Sequence, residues 1–137
     1  MKIIVTGGAG FIGSNLVDYL VKKKHKVIVI DNFSTGLKNN LKKSQKKIKI
    51  FNKDISSNKN LEKIFTGVDY VFHLAGLADI VPSIEKPESY FKSNVLGTFN
   101  VLEACRKKNI KKLIYAASAS CYGLPKNFPT NELSKID

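Results

Sequence analysis

The segment of this sequence with the plainest chemical purpose is Thr6-Gly7-Gly8-Ala9-Gly10-Phe11-Ile12-Gly13. Its glycines read as G-x-x-G-x-x-G (Gly7, Gly10, Gly13) or as G-x-G-x-x-G (Gly8, Gly10, Gly13). Either spacing is weak alone, but here it follows an apolar run and opens an amphipathic one, the setting in which it binds a pyrophosphate. Glycines permit the tight turn and let backbone N–H groups approach the anion, while a helix N-terminus adds partial positive charge. Gly13 would let that helix lie close on a sheet. Asp31 follows 18 residues after Gly13. A carboxylate at that spacing accepts hydrogen bonds from ribose hydroxyls and repels a 2′-phosphate. The next residues, Asn32-Phe33-Ser34-Thr35-Gly36, include no arginine to hold such a phosphate. The expected ligand is therefore NAD rather than NADP.

These groups need strands that end beside one another. Lys2 to Thr6, Lys26 to Ile30, Ile48 to Asn52, Tyr70 to Leu74 and Leu113 to Ala117 read as five strands. Their continuous apolar runs suit a parallel sheet covered on both faces. Phe11 to Lys23 reads as a helix with Ile12, Leu16, Val17, Leu20 and Val21 on its buried stripe. Lys22 to Lys24 then sit favourably at its C-terminus. Asn58 to Phe65 reads as a short helix ending near Gly67. Pro87 to Lys108 reads as a long one, with Val95, Phe99, Leu102 and Ala104 as its apolar face. Ser34 to Lys47 reads as a connection with at most a helical turn, and Gly123 to Asp137 shows no clear element. The order predicts an α/β, Rossmann-type doubly wound parallel sheet with strand order 3-2-1-4-5 and right-handed crossovers.

Composition bounds the rest. The chain has 137 residues, 43% hydrophobic and 25% charged, which is ordinary for one globular domain and unlike disordered, collagen-like or coiled-coil chains. No apolar run approaches the length needed to span a bilayer, and no signal-peptide pattern opens the chain. Cys105 and Cys121 make no disulfide framework and no metal-ligand spacing, so a cytoplasmic setting and no metal are expected. The net charge is +12, but Arg106 is the one arginine among 23 basic residues. Lysine lacks the bidentate fork suited to bases, and Lys22 to Lys24, Lys42, Lys43, Lys46, Lys47, Lys107, Lys108, Lys111 and Lys112 lie scattered along the chain. They read as a solvated surface with no specific nucleic-acid partner.

At this point the sequence resembles the extended short-chain dehydrogenase/reductase family, specifically its nucleotide-sugar epimerases and dehydratases. The likeness rests on Thr6 to Ser14, Asp31 to Gly36, Asp54-Ile55, His73-Leu74-Ala75-Gly76, Asn94-Val95-Leu96-Gly97-Thr98 and Ala117 to Gly123. These motifs stand in the family's order and cover essentially the whole chain. The stretch Ala75 to Thr98 looks most like the UDP-glucose 4-epimerase branch. The resemblance implies NAD contacts from Gly7, Gly10, Phe11, Ile12 and Gly13, and from Asp31, Asn32, Phe33, Ser34, Thr35 and Gly36. It implies further contacts from Asp54, Ile55, Leu74, Ala75, Gly76 and Asn94. Asp54 can accept from the adenine amino group or serve as a turn aspartate, and Asn94 can bridge loops by its amide or face solvent. His73 reads as a core histidine, since no second metal ligand is spaced to join it. The resemblance also implies a nucleotide-sugar substrate, a UDP-sugar, and leaves a homodimer open.

Ser118 is the implied catalytic residue. It would hydrogen-bond a sugar hydroxyl while a stronger base takes the proton. In the family that base is the Tyr of a Tyr-x-x-x-Lys pair on the next helix. The spacing occurs here as Tyr19…Lys23, on the first helix, and as Tyr122…Lys126. The second follows Ser118 too closely, and Gly123 and Pro125 break the turn that would align it. The family's own pair would lie beyond Asp137. The sequence thus resembles the N-terminal part of a longer enzyme, and residues 1–137 alone are expected to be inactive. The alternative is a freestanding Rossmann module that holds NAD without chemistry.

Overall fold

Ile3-Ile4-Val5 and Val27-Ile28-Val29-Ile30 carry no polar alternation, and strands of that kind need cover on both faces. The computed structural model describes residues 1–57, 60–124 and 128–136. In it these runs form β1 (Lys2–Thr6) and β2 (Lys26–Asp31), with β3 (Ile48–Asn52), β4 (Tyr70–His73) and β5 (Lys112–Tyr115) beside them. All pairings are parallel and the order is β3-β2-β1-β4-β5, as expected. Ile4 lies beside Ile28 on one side and Val71 on the other.

Side chains alternate across a strand, so β1 feeds two cores. Ile3 and Val5 join Val27, Val29 and the helix residues Val17 and Leu20 on one face. Ile4 joins Ile28, Ile30, Val71, Phe65 and Val101 on the other. The helix of the first face is α1 (Phe11–Lys22). Ile12, expected in its buried stripe, is 67% exposed. The helix instead lies down by Gly13, Ser14, Val17 and Leu20. The connection from Ser34 to Lys47 contains two short 3-10 turns, Lys38–Leu41 and Gln45–Lys47. It also contributes Leu41 to the core.

The second face is covered by α2 (Leu61–Ile64) and the C-terminal part of a long helical run. Asn58 and Lys59, the expected start of the second helix, lie outside the described residues. A further helix, α3 (Ile80–Glu85), was not expected and carries Pro82. It stands in the first turn, where proline is tolerated. The run from Pro87 is helical throughout, but as α4 (Pro87–Tyr90), a π segment (Phe91–Leu96) and α5 (Gly97–Lys107).

The buried face of α5 corrects the sequence reading. Val95, Phe99 and Leu102 are 54%, 58% and 48% exposed, while Gly97, Asn100, Val101, Ala104 and Cys105 are buried. Gly97 leaves no room for larger groups, since a Cβ there would meet Ile55 Cδ1 at 2.8 Å. Asn100 donates to the carbonyls of Ile55 and Ser56, both at 2.9 Å. Gly97 and Asn100 therefore pack on the loop after β3, Val101, Ala104 and Cys105 join the core under the sheet, and the bulky stripe points away. No helix among the described residues is long and apolar enough to cross a membrane.

Candidate functional site

The C-terminal ends of β1 to β4 surround a cleft of about 120 Å³. Open parallel sheets bind ligands at this edge. Its floor is backbone brought close by glycine. Gly7 has φ +68°, and a Cβ on it would meet Ala75 N at 2.6 Å. A Cβ on Gly13 would strike the Gly7 carbonyl oxygen and stand 2.8 Å from Gly8 Cα. The glycine turn thus lies directly against the chain leaving β4 and under the first turn of α1. No side chain caps α1, and its first turn holds no acidic residue. Its leading N–H groups have no acceptor within the helix, so this end is suited to an anion.

Asp31, the last residue of β2, is buried. Its Oδ2 accepts from Ala9 N and its Oδ1 from Phe33 N, both at 2.8 Å. The carboxylate therefore ties the glycine turn to the loop after β2. Each oxygen keeps a second lone pair for a ligand hydroxyl. Asp54 follows β3 and lines the same cleft. Burial raises its pKa, but hydrogen bonds from Ser56 and Asn32 outweigh that and hold the carboxyl below its ordinary value. Asn32 Nδ2 reaches Asp54 Oδ2 at 3.2 Å and links the two loops.

Of the expected cofactor residues, Gly7, Gly10, Asp31, Asn32, Ser34, Thr35, Gly36, Asp54, Ile55, Leu74, Ala75 and Gly76 line the cleft. Phe11 and Ile12 project from the α1 N-terminus, 84% and 67% exposed. Gly13 is buried beneath the turn, and Phe33 is half-buried beside it. Asn94 turns to the chain after β4: it donates to Leu77 O at 2.9 Å and accepts from Leu77 N at 2.8 Å. Its neighbour Ser93 lines the cleft, as do Lys53 and Leu77. The sequence offered one signal for them, adjacency to Asp54, Gly76 and Asn94.

Thr6, His73 and Thr98 form a buried chain that sequence reasoning missed. Thr6 Oγ1 lies 2.6 Å from His73 Nδ1, and His73 Nε2 lies 2.9 Å from Thr98 Oγ1. Burial pushes the His73 pKa down to about 4. The neutral ring donates at one nitrogen and accepts at the other, joining β1, β4 and α5 just behind the cleft. Ser118 lies three residues past β5, which ends at Tyr115 rather than Ala117. It is exposed, starts a 3-10 turn (Ala119–Tyr122), and its Oγ accepts from Ser120 N at 2.9 Å. It does not line the cleft.

The profile of the NAD dependent epimerase/dehydratase family matches residues 3–136. The chain belongs to this family. It is 43% identical over 137 residues to the putative UDP-glucose 4-epimerase of Methanocaldococcus jannaschii, covering 98% of this chain and 44% of that protein. The UDP-N-acetylglucosamine 4-epimerase of Methanobrevibacter ruminantium, solved with UDP-N-acetylmuramic acid, superposes with TM-score 0.86 at 39% identity, over 98% of this chain and 43% of that one. The UDP-glucose 4-epimerase of Bifidobacterium longum, solved with NAD+ and UDP, superposes with TM-score 0.89 at 32% identity, over 100% and 43%. The chain thus spans less than half the length of these relatives.

Proposed function

We propose that residues 1–137 are the NAD-binding Rossmann domain of a UDP-sugar 4-epimerase, and that they do not turn over substrate by themselves. One observation carries this reading: an uncapped helix N-terminus, a glycine floor with no room for side chains, and two carboxylates meet in one cleft. That set fits a dinucleotide, and the family membership and the NAD+ and UDP held by the B. longum enzyme support the same ligands.

In this reading the turn from Gly7 to Gly13, with the first N–H groups of α1, holds the diphosphate. Phe11 and Ile12 take part through their backbone. Asp31 takes the ribose hydroxyls on its free lone pairs and excludes a 2′-phosphate, with Asn32, Phe33, Ser34, Thr35 and Gly36 shaping that wall. Asp54 and Ile55 flank the adenine. Leu74, Ala75, Gly76 and Ser93 line the other end, and Asn94 holds their loop through Leu77. NAD, when bound, supplies a hydride acceptor for a sugar carbon. Ser118 would orient the sugar hydroxyl, but a serine cannot take its proton near neutral pH without a base. Losing a positioned base costs about 10²- to 10⁴-fold.

The exposed stripe Phe91, Val95, Phe99 and Leu102 supports a homodimer of the whole protein through this helical face. The two free thiols suit a cytoplasmic setting.

Titration calorimetry tests the cofactor reading. NAD should bind at least about tenfold more tightly than NADP, as expected when a ribose-binding carboxylate faces a 2′-phosphate. Equal affinities would remove the argument from Asp31. A coupled assay for UDP-glucose formation from UDP-galactose should give no turnover with these 137 residues, and turnover would refute the assignment.

A further inference from the structure

The end of the sheet opposite the cleft gathers lysines that look dispersed in the sequence. Lys2 opens β1, Lys26 opens β2, Lys46 and Lys47 close the turn before β3, Lys49 lies in β3 and Lys63 in α2. All six, with His25, line one open hollow of about 720 Å³, and no carboxylate lines it. The ion pairs among the described residues are Lys92–Glu88, Arg106–Glu103, Lys107–Glu62 and Lys111–Asp69. None of them neutralises a lysine of the hollow. Lys2 Nζ donates to Thr66 O at 2.7 Å, and Lys49 Nζ stands 4.9 Å from the centre of the Phe51 ring.

A second hollow of about 430 Å³ continues along the outer edge of β3 and shares Phe51, Lys63 and Ile64 with the first. It adds Lys53 and again no carboxylate. The two make one groove along an edge strand of five residues, roughly 16 Å at the usual rise.

We propose that this groove binds single-stranded nucleic acid through its phosphates, without reading sequence. Ammonium groups attract phosphates as point charges, and the groove has no guanidinium for bidentate recognition of bases. Half-buried Phe51, at the junction of the two hollows, offers a ring face on which a base stacks once Lys49 turns to a phosphate. A basic track with an aromatic platform is the usual recipe for single-strand binding. An acidic peptide would meet the same charges but gain nothing from that ring. The larger hollow shares no residue with the cofactor cleft, and the smaller one shares only Lys53, so the glutamate variants at Lys46, Lys47 and Lys49 leave the lining of the cleft intact.

Fluorescence anisotropy with labelled oligothymidylate and oligoadenylate of equal length tests it. The two should bind alike. The triple variant Lys46→Glu, Lys47→Glu, Lys49→Glu should weaken binding at least about tenfold and lower the slope of log affinity against log salt by about two. The control Lys22→Glu, Lys86→Glu, Lys112→Glu, with the same change in charge, should weaken it less than about threefold. Phe51→Leu should weaken the oligonucleotides but not inorganic polyphosphate. If thermal melts show the glutamate variant unfolded, Lys46→Gln, Lys47→Gln, Lys49→Gln reads the same contrast. Equal losses in the two triple variants would overturn the groove in favour of diffuse charge. Polyglutamate binding as tightly as oligothymidylate would overturn the nucleic-acid assignment in favour of an acidic protein.

Discussion

Gly13 measures how tightly the phosphate turn is built. A methyl group there would press on the Gly7 carbonyl oxygen and on Gly8 Cα, both rigid backbone. Gly13→Ala should therefore destabilise the fold by about 1–3 kcal/mol, the usual range for overpacking, and should reduce NAD binding with it. Urea melts and calorimetry check both. His73 makes a prediction of a different kind. Its ring is 1% exposed and titrates near 4 in the fold, against about 6.5 when unfolded. Between those values the unfolded chain binds the extra proton, so stability falls as pH drops from about 6.5 to about 4 and then levels for this group. The loss is on the order of 3 kcal/mol. His73→Gln should be less stable at neutral pH but flatter across that window, measured by urea melts at several pH values. The glycines and Asp31 were legible because spacing alone marks them. The Thr6–His73–Thr98 chain was not, because its members are 67 and 25 residues apart and only the fold brings them together.

At the scale of elements, the sheet was easier to read than the helices. β1 and β2 announce themselves as unbroken apolar runs, and the strand order follows from the doubly wound arrangement that the glycine turn marks. The buried face of the long helical run does not, because bulk misleads: Val95, Phe99 and Leu102 carry the apolar area, yet Gly97, Asn100, Val101, Ala104 and Cys105 are the buried residues. The π segment adds to the difficulty, since i→i+5 bonding shifts the phase of any helical pattern running through it. The corrected face has a direct test. Val101, fully buried, should cost about 2 kcal/mol as Val101→Ala. Phe99→Gln should stay within about 0.5 kcal/mol, as surface changes do. Thermal denaturation of the two single variants separates them, and the reverse ranking would restore the sequence reading.

At the scale of residues 1–137 as a whole, β5 is sparsely covered. Within these residues it pairs with β4 alone, and its Ile114 and Tyr115 are 38% and 53% exposed. An apolar edge strand is a template for pairing with another copy. Lys111 and Lys112 stand directly before Leu113-Ile114-Tyr115, and the chain carries a net charge of +12. Copies of the chain therefore repel one another before their edges can meet. That protection is colloidal and depends on the solvent: at about 1 M salt the screening length is only about 3 Å. Residues 1–137 by themselves should stay dispersed in dilute buffer and cluster as salt rises, seen as growing light scattering. Ile114→Lys should keep it dispersed where the parent chain clusters.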